Sequence, residues 1–301
     1  MAKGILITGG SGFIAPYLID ALDSALPVIL HVRNPVKQRA IRPRPGLRVI
    51  GGELTAERLL DEVAEECSAV VHLAGAVHGP DTSAILDSNV VSTSNVLAFM
   101  RARAIPKLVF MSTAAVWDGT DDLRLTEDVD PNPSTLYGYA KLAAERLIQN
   151  ALRSGALSAA AVLRCNNTYG GGSVQGAVVA FRTRLLNDQP VQIDGDGQQL
   201  REPLYVSDLV DVLINSLDRP AGLHTYAISG PQTLTVLQMA EIMARAAGRE
   251  LRVDWKPARS DRSRHLIFDT SKARRELNWR PAFGFEEGVK LLLRGADIKA
   301  L

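Results

Sequence analysis

The stretch Ile5-Leu6-Ile7-Thr8-Gly9-Gly10-Ser11-Gly12-Phe13-Ile14-Ala15 decides the fold of this chain. A short apolar strand ends at Thr8, a glycine-rich turn follows, and a helix-like segment begins after it. Glycines allow a tight turn and a close approach of the backbone to a ligand, and the N-terminus of a helix attracts an anion. The stretch therefore predicts the first strand–turn–helix unit of a doubly wound sheet, with a site for the pyrophosphate of a dinucleotide. The expected contacts come from Gly9, Ser11, Gly12, Phe13 and Ile14.

The rest of the first half alternates short apolar runs with longer helix-like segments. The apolar runs cover residues 5–8, 28–32, 47–50, 69–73, 108–112 and 160–163. Helical character covers most of the gaps between them, at residues 13–26, 57–66, 85–104 and 136–154. Strands without polar alternation are buried on both faces, and helical crossovers make such a sheet parallel. The pattern predicts an α/β fold with a doubly wound parallel (Rossmann) sheet.

The pattern changes after residue 165. Glycine and asparagine crowd residues 166–176, and a strand-like run at 204–206 then leads into a helix-like segment at 208–216. We therefore assign residues 1–165 and about 204–229 to a dinucleotide-binding domain. Residues 166–203 and about 230–301 are expected to form a smaller C-terminal α/β lobe that binds the substrate.

The composition argues against several classes of partner and location. The chain has 301 residues, of which 46% are hydrophobic, and a formal net charge of +1. A near-neutral charge argues against nucleic acid or an anionic membrane as the main partner. No signal peptide fits the N-terminus, and no apolar run approaches the roughly 20 residues of a membrane-spanning helix. We therefore expect a cytoplasmic protein. Cys67 and Cys165 are expected to be buried thiols, and no Cys/His spacing predicts a metal site.

The residue that ends the second strand bears on the choice of cofactor. A carboxylate at this position would favour NAD, because it accepts hydrogen bonds from the 2′-hydroxyl of the adenosine ribose. This chain carries Arg33 there, with Lys37 and Arg39 nearby. Guanidinium and ammonium groups attract a 2′-phosphate, so the sequence predicts a preference for NADP, with NAD possible.

The third and fourth strands provide further candidates for cofactor binding. Glu53 and Leu54 follow the third strand, where an acidic residue could meet the adenine amino group. The fourth strand runs into Leu73, Ala74 and Gly75, where the cofactor backbone is expected to pass.

Tyr137 and Lys141 form the candidate catalytic pair. They lie one turn apart on the helix predicted at residues 136–154, so they share a face. A phenol has a pKa of about 10, too high for a base at neutral pH, but a nearby ammonium and a positive nicotinamide ring both favour the phenolate. The fifth strand ends at Ser112 and Thr113, which would bring a hydroxyl to the same edge of the sheet. The pair therefore predicts acid/base chemistry by a tyrosine whose pKa is lowered by the lysine.

Further segments match a known pattern. They are Ala69-Val70-Val71-His72-Leu73-Ala74-Gly75, Ser88-Asn89-Val90, Arg164-Cys165-Asn166-Asn167-Thr168-Tyr169-Gly170 and Arg201-Glu202-Pro203-Leu204-Tyr205-Val206-Ser207-Asp208. With the glycine turn and the Tyr/Lys pair, they make nearly the whole chain resemble an extended short-chain dehydrogenase/reductase of the NAD-dependent epimerase/dehydratase family. Near the end, residues 257–259 and 269–279 resemble sugar-nucleotide epimerases closely.

The resemblance implies a role for each matching position around the cofactor. Tyr137 would be the acid/base, and Lys141 its electrostatic partner and a ligand of the ribose. Thr113 would hold the reacting oxygen, and Ser112 is the alternative if the register is shifted by one residue. Asn89 would contact the cofactor.

The resemblance also implies a substrate site and shows departures from the family pattern. Asn167 would contact the diphosphate or its neighbouring sugar, and Arg201 and Arg259 would bind the diphosphate as charged donors. In dehydratases and decarboxylases of the family an acidic residue follows the strand-end threonine. This chain has Ala114 and Ala115 there, which leaves simple hydride chemistry.

These inferences favour a nucleotide-sugar 4-epimerase that works by transient hydride transfer. An NADPH-dependent 4-ketosugar reductase would use the same residues once per turnover, and Arg33 favours that alternative. A third possibility is an NADP-binding sensor without turnover, against which the Tyr/Lys pair argues. The helices near 85–104 and 136–154 predict a homodimer, because their apolar faces exceed what one sheet covers.

Overall fold

The structure is a computed structural model that describes residues 3–34, 41–63, 66–120, 124–258 and 265–295. Its thirteen strands within these ranges are β1 Gly4–Thr8, β2 Val28–Val32, β3 Leu47–Gly51, β4 Cys67–His72, β5 Lys107–Thr113, β6 Ala159–Cys165, β7 Thr168–Tyr169, β8 Val191–Asp194, β9 Leu200–Arg201, β10 Leu204–Tyr205, β11 Gly222–Ile228, β12 Leu234–Thr235 and β13 Val253–Lys256. Its α-helices there are α1 Ile14–Ala21, α2 Ala56–Glu62, α3 Thr82–Leu86, α4 Ser92–Ala102, α5 Leu136–Arg153, α6 Ala177–Leu186, α7 Val206–Asn215, α8 Val236–Ala246, α9 Ser271–Glu276 and α10 Phe285–Arg294.

Seven of the strands form one parallel sheet, in the order β11-β6-β5-β4-β1-β2-β3. The order reverses between β1 and β4, so a crevice opens there at the carboxyl ends of the strands. Helices α1, α7 and α9 cover one face of the sheet, and α2, α4 and α5 cover the other. The predicted doubly wound fold is confirmed.

One of the two edge strands of the sheet, β11, was not predicted. In β11, His224 and Thr225 interrupt the apolar pattern that marks the inner strands. An edge strand is covered on one side only, so it tolerates polar residues that a central strand would not. The run predicted at 204–206 shortens to Leu204–Tyr205, which pairs with β7 outside the main sheet.

The first helix ends earlier than its apolar pattern predicts. It stops at Ala21, and Asp23 then caps a turn by accepting from the amide of Ala25 at 2.9 Å. The last carbonyls of a helix lack intrahelical donors. Arg44 supplies donors here, to the carbonyl oxygens of Ile19, Leu22, Asp23 and Leu26. A distant arginine, which local periodicity does not reveal, therefore stabilises the helix end.

The helical region predicted at 85–104 contains a π-helical turn at Asp87–Val91 between α3 and α4. Leu86 and Val91 expose apolar side chains on this region, as do Leu136 and Tyr139 on α5. The homodimer through these helices stays a prediction. No helix in the described part of the chain is long and apolar enough to cross a membrane.

A third apolar cluster lies in the predicted smaller lobe and joins α6, α8 and α10. Asp208, fully buried in α7, ties the C-terminal segment to the sheet domain. Its carboxylate accepts from the amides of Ala282 at 2.7 Å and Phe283 at 3.2 Å, and its carbonyl accepts from the indole of Trp279 at 2.9 Å. The domain boundaries themselves stay a prediction.

Replacing Asp208 tests this connection. Asp208→Ala removes the buried acceptor of two backbone amides, and we expect the free energy of unfolding to fall by about 2 to 3 kcal/mol. Urea titration monitored by tryptophan fluorescence measures the change. Asp211→Ala, an exposed position of the same helix, is the control and should change stability by less than about 0.5 kcal/mol. Equal losses in the two variants would contradict the assignment.

Candidate active site

The glycine turn and the end of β4 meet at the crevice of the sheet. Gly9 has a φ of 78°, and a Cβ atom there would lie 2.6 Å from the amide nitrogen of Ala74. Only glycine combines this conformation with this approach. Helix α1 begins directly afterwards at Ile14, and no side chain caps its N-terminus. The unpaired amides and the helix dipole therefore suit an anionic group.

Three residues from different elements form a polar cluster at this crevice: Gly75 after β4, Asn89 in the π-helical turn and Lys141 in α5. A Cβ atom on Gly75 would lie 2.6 Å from Asn89 Oδ1 and 3.0 Å from Lys141 Nζ. Asn89 is fully buried, and its Oδ1 has no hydrogen-bond partner among the described residues. A buried acceptor without a donor is costly. A ribose hydroxyl could donate to it, so the polar cluster fits the sugar of a dinucleotide.

The ammonium of Lys141 is buried, with 3% of the residue exposed. It donates to the carbonyl oxygen of Met111 at 2.9 Å and lies 4.7 Å from the centre of the Phe110 ring. Burial lowers the pKa of Lys141 to about 8. An ammonium has three donors, so it can hold Met111 and still donate to a ligand in the polar cluster.

Tyr137 stands at the first turn of α5, next to the side chain of Thr113 at the end of β5. Burial raises the pKa of Tyr137 to about 12, and the neighbouring side chain of Thr113 only partly opposes this. The lowered pKa that we expect from the ammonium and the nicotinamide ring together is therefore not seen in the protein without ligands, and it stays a prediction for the cofactor complex. The cost of burying a phenolate is the largest influence on this pKa.

A glycine that sequence reasoning missed brings these elements together. Gly138 packs against the carbonyl oxygen of Ala115, so closely that any Cβ atom would clash. Thr135 caps the same helix start by accepting from the amide of Gly138 at 3.1 Å. The only signal was the glycine between Tyr137 and Tyr139, inside an otherwise strong helix pattern.

The two hydroxyls at the end of β5 point to opposite sides. Ser112 is buried and donates to Glu145 at 2.5 Å, and Glu145 pairs with Arg164 at 2.8 Å. Ser112 is therefore engaged in a structural network, and the structure places Thr113 beside Tyr137. The structure therefore favours Thr113 over Ser112 as the hydroxyl that would hold the reacting oxygen, because successive side chains of a strand face opposite sides. Charged residues within the apolar patterns of α5 and β6 were the available signal for the Glu145–Arg164 pair.

An open cavity of about 590 Å³ lies at the ends of β2 and β3. Arg33, Asn34, Glu53 and Arg58 line it, together with Gly51 and Gly52. Arg58 was not predicted; its guanidinium covers Gly52, where a Cβ atom would lie 2.5 Å away, and pairs with Glu62 at 2.7 Å. Lys37 and Arg39 lie outside the described residues. The structure thus brings Arg33 and Glu53 to one cavity.

The loop after this cavity is fixed to α4. The carbonyl oxygen of Leu54 accepts from the side chain of Asn95 at 3.0 Å. This bond holds Glu53 and Leu54 against the same helical layer that carries Asn89.

The predicted substrate residues lie beyond β6. Asn167 is exposed, and its backbone is held by Asn166 Oδ1 at 2.8 Å and the amide of Leu204 at 3.0 Å. Arg201 is half-buried on β9 and donates to the carbonyl oxygen of Leu200 at 2.8 Å, and burial lowers its pKa to about 10. Arg259 lies outside the described residues.

Neither cysteine forms a disulfide; Cys67 and Cys165 are free and buried. Cys165 lies close enough to Tyr137 and Lys141 to influence the pKa of each. No group of three or more His, Cys, Asp or Glu side chains suitable for a metal occurs in the described ranges.

Comparison with known proteins adds to this geometry. The sequence model of the NAD dependent epimerase/dehydratase family matches residues 5–229. The chain is 29% identical over 312 residues to UDP-glucuronate 4-epimerase of Thermodesulfobacterium geofontis, covering 95% of this chain and 93% of that protein. It is 24% identical over 323 residues to dTDP-4-dehydro-6-deoxyglucose reductase of Escherichia coli, covering 99% and 98%. The solved structure of MoeE5 in complex with UDP-glucuronic acid and NAD is similar, with a TM-score of 0.86 and 27% identity over 98% of this chain and 99% of that one.

The match at residues 5–229 runs from the first strand of the sheet to the end of its last strand. The chain therefore belongs to the NAD dependent epimerase/dehydratase family and is an enzyme of the extended short-chain dehydrogenase/reductase type.

Proposed function

We propose that this enzyme is a nucleotide-sugar 4-epimerase, in which a nicotinamide dinucleotide takes hydride from the sugar and returns it. The observation that carries the proposal is that Thr113 lies beside Tyr137 at the crevice, and that Tyr137 shares its helix with the buried Lys141. Tyr137 would accept the proton of the sugar O4 hydroxyl and later return it. Thr113 would hold the same oxygen, so that the proton transfer has a fixed geometry.

The pKa of Tyr137 explains why its base strength would depend on the bound cofactor. Burial keeps the phenol protonated at neutral pH in the protein alone. Positive charge near the phenol favours the phenolate, and the oxidised nicotinamide carries such a charge. Lys141 would hold the ribose with the donors that Met111 leaves available, next to Asn89 Oδ1. Tyr137 would thus become a base only once the site is filled.

The residues after Thr113 support hydride chemistry over elimination. Ala114 is buried, and Ala115 offers only a methyl group. A dehydratase must move a further proton and a hydroxyl, which requires an additional acid/base. Neither position supplies one.

We propose Asn167, Arg201 and Arg259 as ligands of the substrate diphosphate. Arg201 is the best supported by charge, because even with its lowered pKa of about 10 it stays protonated at neutral pH. A half-buried guanidinium binds a diphosphate strongly, since little water competes with it.

An NADPH-dependent ketosugar reductase is the second candidate. Arg33, at the cavity by β2, supports it, because NADPH is the usual reductant of biosynthetic reductions. It would use Tyr137 to protonate the sugar oxygen once per turnover and then release the oxidised cofactor. A sensor without turnover is the third candidate, and the buried Lys141 of the polar cluster argues against it.

Turnover stoichiometry separates the candidates. UDP-, dTDP- and GDP-linked sugars are first tested for the one that raises the melting temperature of the protein. With that sugar we expect the C4 epimers to interconvert without net consumption of NADH or NADPH. Consumption of one reduced cofactor per product would instead establish the reductase.

Replacing Tyr137 tests its proposed role. We expect Tyr137→Phe to lower kcat by about 10² to 10⁴-fold, because the general acid/base is lost, while cofactor affinity is unchanged. Tyr139→Phe is the control, since Tyr139 lies on the same helix with 57% of the residue exposed. Full activity in Tyr137→Phe would exclude both the epimerase and the reductase mechanism.

Cofactor preference depends on Arg33 in our proposal. Arg33 and Arg58 provide two guanidinium groups at the cavity, and we expect tighter binding of NADP than of NAD. Arg33→Asp should weaken NADP binding by at least about tenfold and improve NAD binding, as measured by fluorescence titration. Arg146→Asp, an exposed position on α5, controls for the change in net charge. Tighter binding of NAD by the unaltered protein would contradict the preference.

The lowered pKa of Lys141 predicts a distinct pH dependence of stability. Between a folded pKa of about 8 and an unfolded value of about 10.4, the unfolded chain holds a proton that the folded protein has released. Rising pH in this range therefore favours the folded state. Relative to Lys141→Met, the unfolding free energy of the unaltered protein should rise by roughly 2 kcal/mol from pH 8 to pH 10. Urea titrations at pH 8, 9 and 10 measure this difference, and parallel profiles would disprove it.

A further inference from the structure

A chain of buried side-chain hydrogen bonds runs beneath the proposed cofactor site. Thr8, His72 and Thr93 form it, and all three residues are inaccessible to solvent. Thr8 Oγ1 lies 2.6 Å from His72 Nδ1, and His72 Nε2 lies 3.1 Å from Thr93 Oγ1. Thr8 ends β1 just before the glycine turn, whereas Thr93 lies in α4 just after the π-helical turn. His72 therefore links two sides of the site.

The partners of Thr93 assign the protons of this chain. The Thr93 hydroxyl has one proton, which it donates to the carbonyl oxygen of Asn89 at 2.6 Å. It must then accept from His72, so Nε2 carries the ring proton. In that neutral tautomer Nδ1 is an acceptor, and Thr8 donates to it. One neutral tautomer of His72 therefore satisfies both of its hydrogen bonds, to Thr8 and to Thr93.

The ring stays neutral at physiological pH. Burial lowers the pKa of His72 to about 3, and the charge of Lys141 acts in the same direction. The Phe110 ring lies 5.6 Å from the His72 ring, and the Lys141 ammonium lies 4.7 Å from the Phe110 ring. His72 is therefore unsuited to exchange protons with a substrate, and its hydrogen bonds are permanent.

Both ends of this series of hydrogen bonds reach groups that would face the ligand. At one end, Thr8 accepts from the amide of Ala74 at 3.3 Å, at the contact between the glycine turn and β4. At the other end, Thr93 holds the backbone of Asn89. The Asn89 amide donates to the carbonyl oxygens of Ala76 at 2.9 Å and Ile85 at 2.8 Å, which leaves Oδ1 in the polar cluster.

We propose that His72 is a positioning residue for the dinucleotide, which sets the spacing between the glycine turn and Asn89 through Thr8 and Thr93. This inference rests on the proposed cofactor site and adds to it a residue that touches no ligand. A dinucleotide that lies along the turn and reaches Asn89 must contact both sides at once. Loss of the link would therefore weaken cofactor binding before it affects the chemistry of Tyr137.

The experiment compares the variants His72→Leu and His72→Gln of the whole polypeptide. Leucine removes both hydrogen bonds, and we expect affinity for NADH and NADPH to fall by about tenfold. The terminal amide of glutamine reaches the position of Nε2 and can still donate to Thr93, but it no longer accepts from Thr8, so His72→Gln should lose less affinity than His72→Leu. Fluorescence titration gives the dissociation constants, and kinetics should show a raised KM for the cofactor with an unchanged KM for the nucleotide sugar.

Thr93→Val provides a second test if His72→Leu fails to fold. It removes only the hydroxyl, and we expect affinity to fall in the same direction. Thr183→Val is the matched control, because Thr183 also donates to the carbonyl four residues earlier, at 2.9 Å, but lies exposed on α6. In the double variant His72→Leu/Thr93→Val the losses should not add, since both residues act through one chain.

Direct binding measurements keep this inference separate from the proposed function. If the unaltered protein bound neither NADH nor NADPH, the result would contradict the proposed function itself. If it bound one of them and Thr93→Val and a folded His72→Leu bound it equally well, the positioning role would be overturned. A fall in affinity that Thr183→Val shared would overturn it as well.

Discussion

The burial of the Lys141 ammonium against β5 is the interaction on which the rest of the site depends. A buried charge is tolerated only with polar partners. Lys141 has the carbonyl oxygen of Met111 at 2.9 Å and the ring of Phe110. These partners leave donor capacity directed at the polar cluster. The lowered pKa of Lys141 shows that burying this charge costs free energy. Such a loss of stability is common where a site serves function.

Close backbone approach makes this burial possible. Gly9 lets the first turn lie against Ala74, and Gly138 lets the start of α5 lie against Ala115. Gly75 leaves the space into which the groups of Asn89 and Lys141 point. Each of these glycines is required by a contact between different elements, so the crevice is a property of the assembled sheet and its helices.

Buried polar networks then hold the elements that the glycines bring together. The Ser112–Glu145–Arg164 network ties α5 to β5 and β6, and Asp208 ties the C-terminal segment to α7. The chain through His72 links β1 and β4 to α4 in the same way. Such networks specify one arrangement, because a partly satisfied buried group is costly. They explain how the crevice at the carboxyl ends of the strands stays preformed.

The sequence by itself determined the doubly wound sheet, the glycine turn and the helical spacing of Tyr137 and Lys141, because these depend on local periodicity and on residues a few positions apart. Only the tertiary structure decided which hydroxyl of β5 stands beside Tyr137, that Arg58 joins Arg33 at one cavity, and that burial raises the tyrosine pKa. Those outcomes depend on which distant elements pack together and how much water they exclude. Neither packing nor exclusion of water is encoded in the spacing of neighbouring residues.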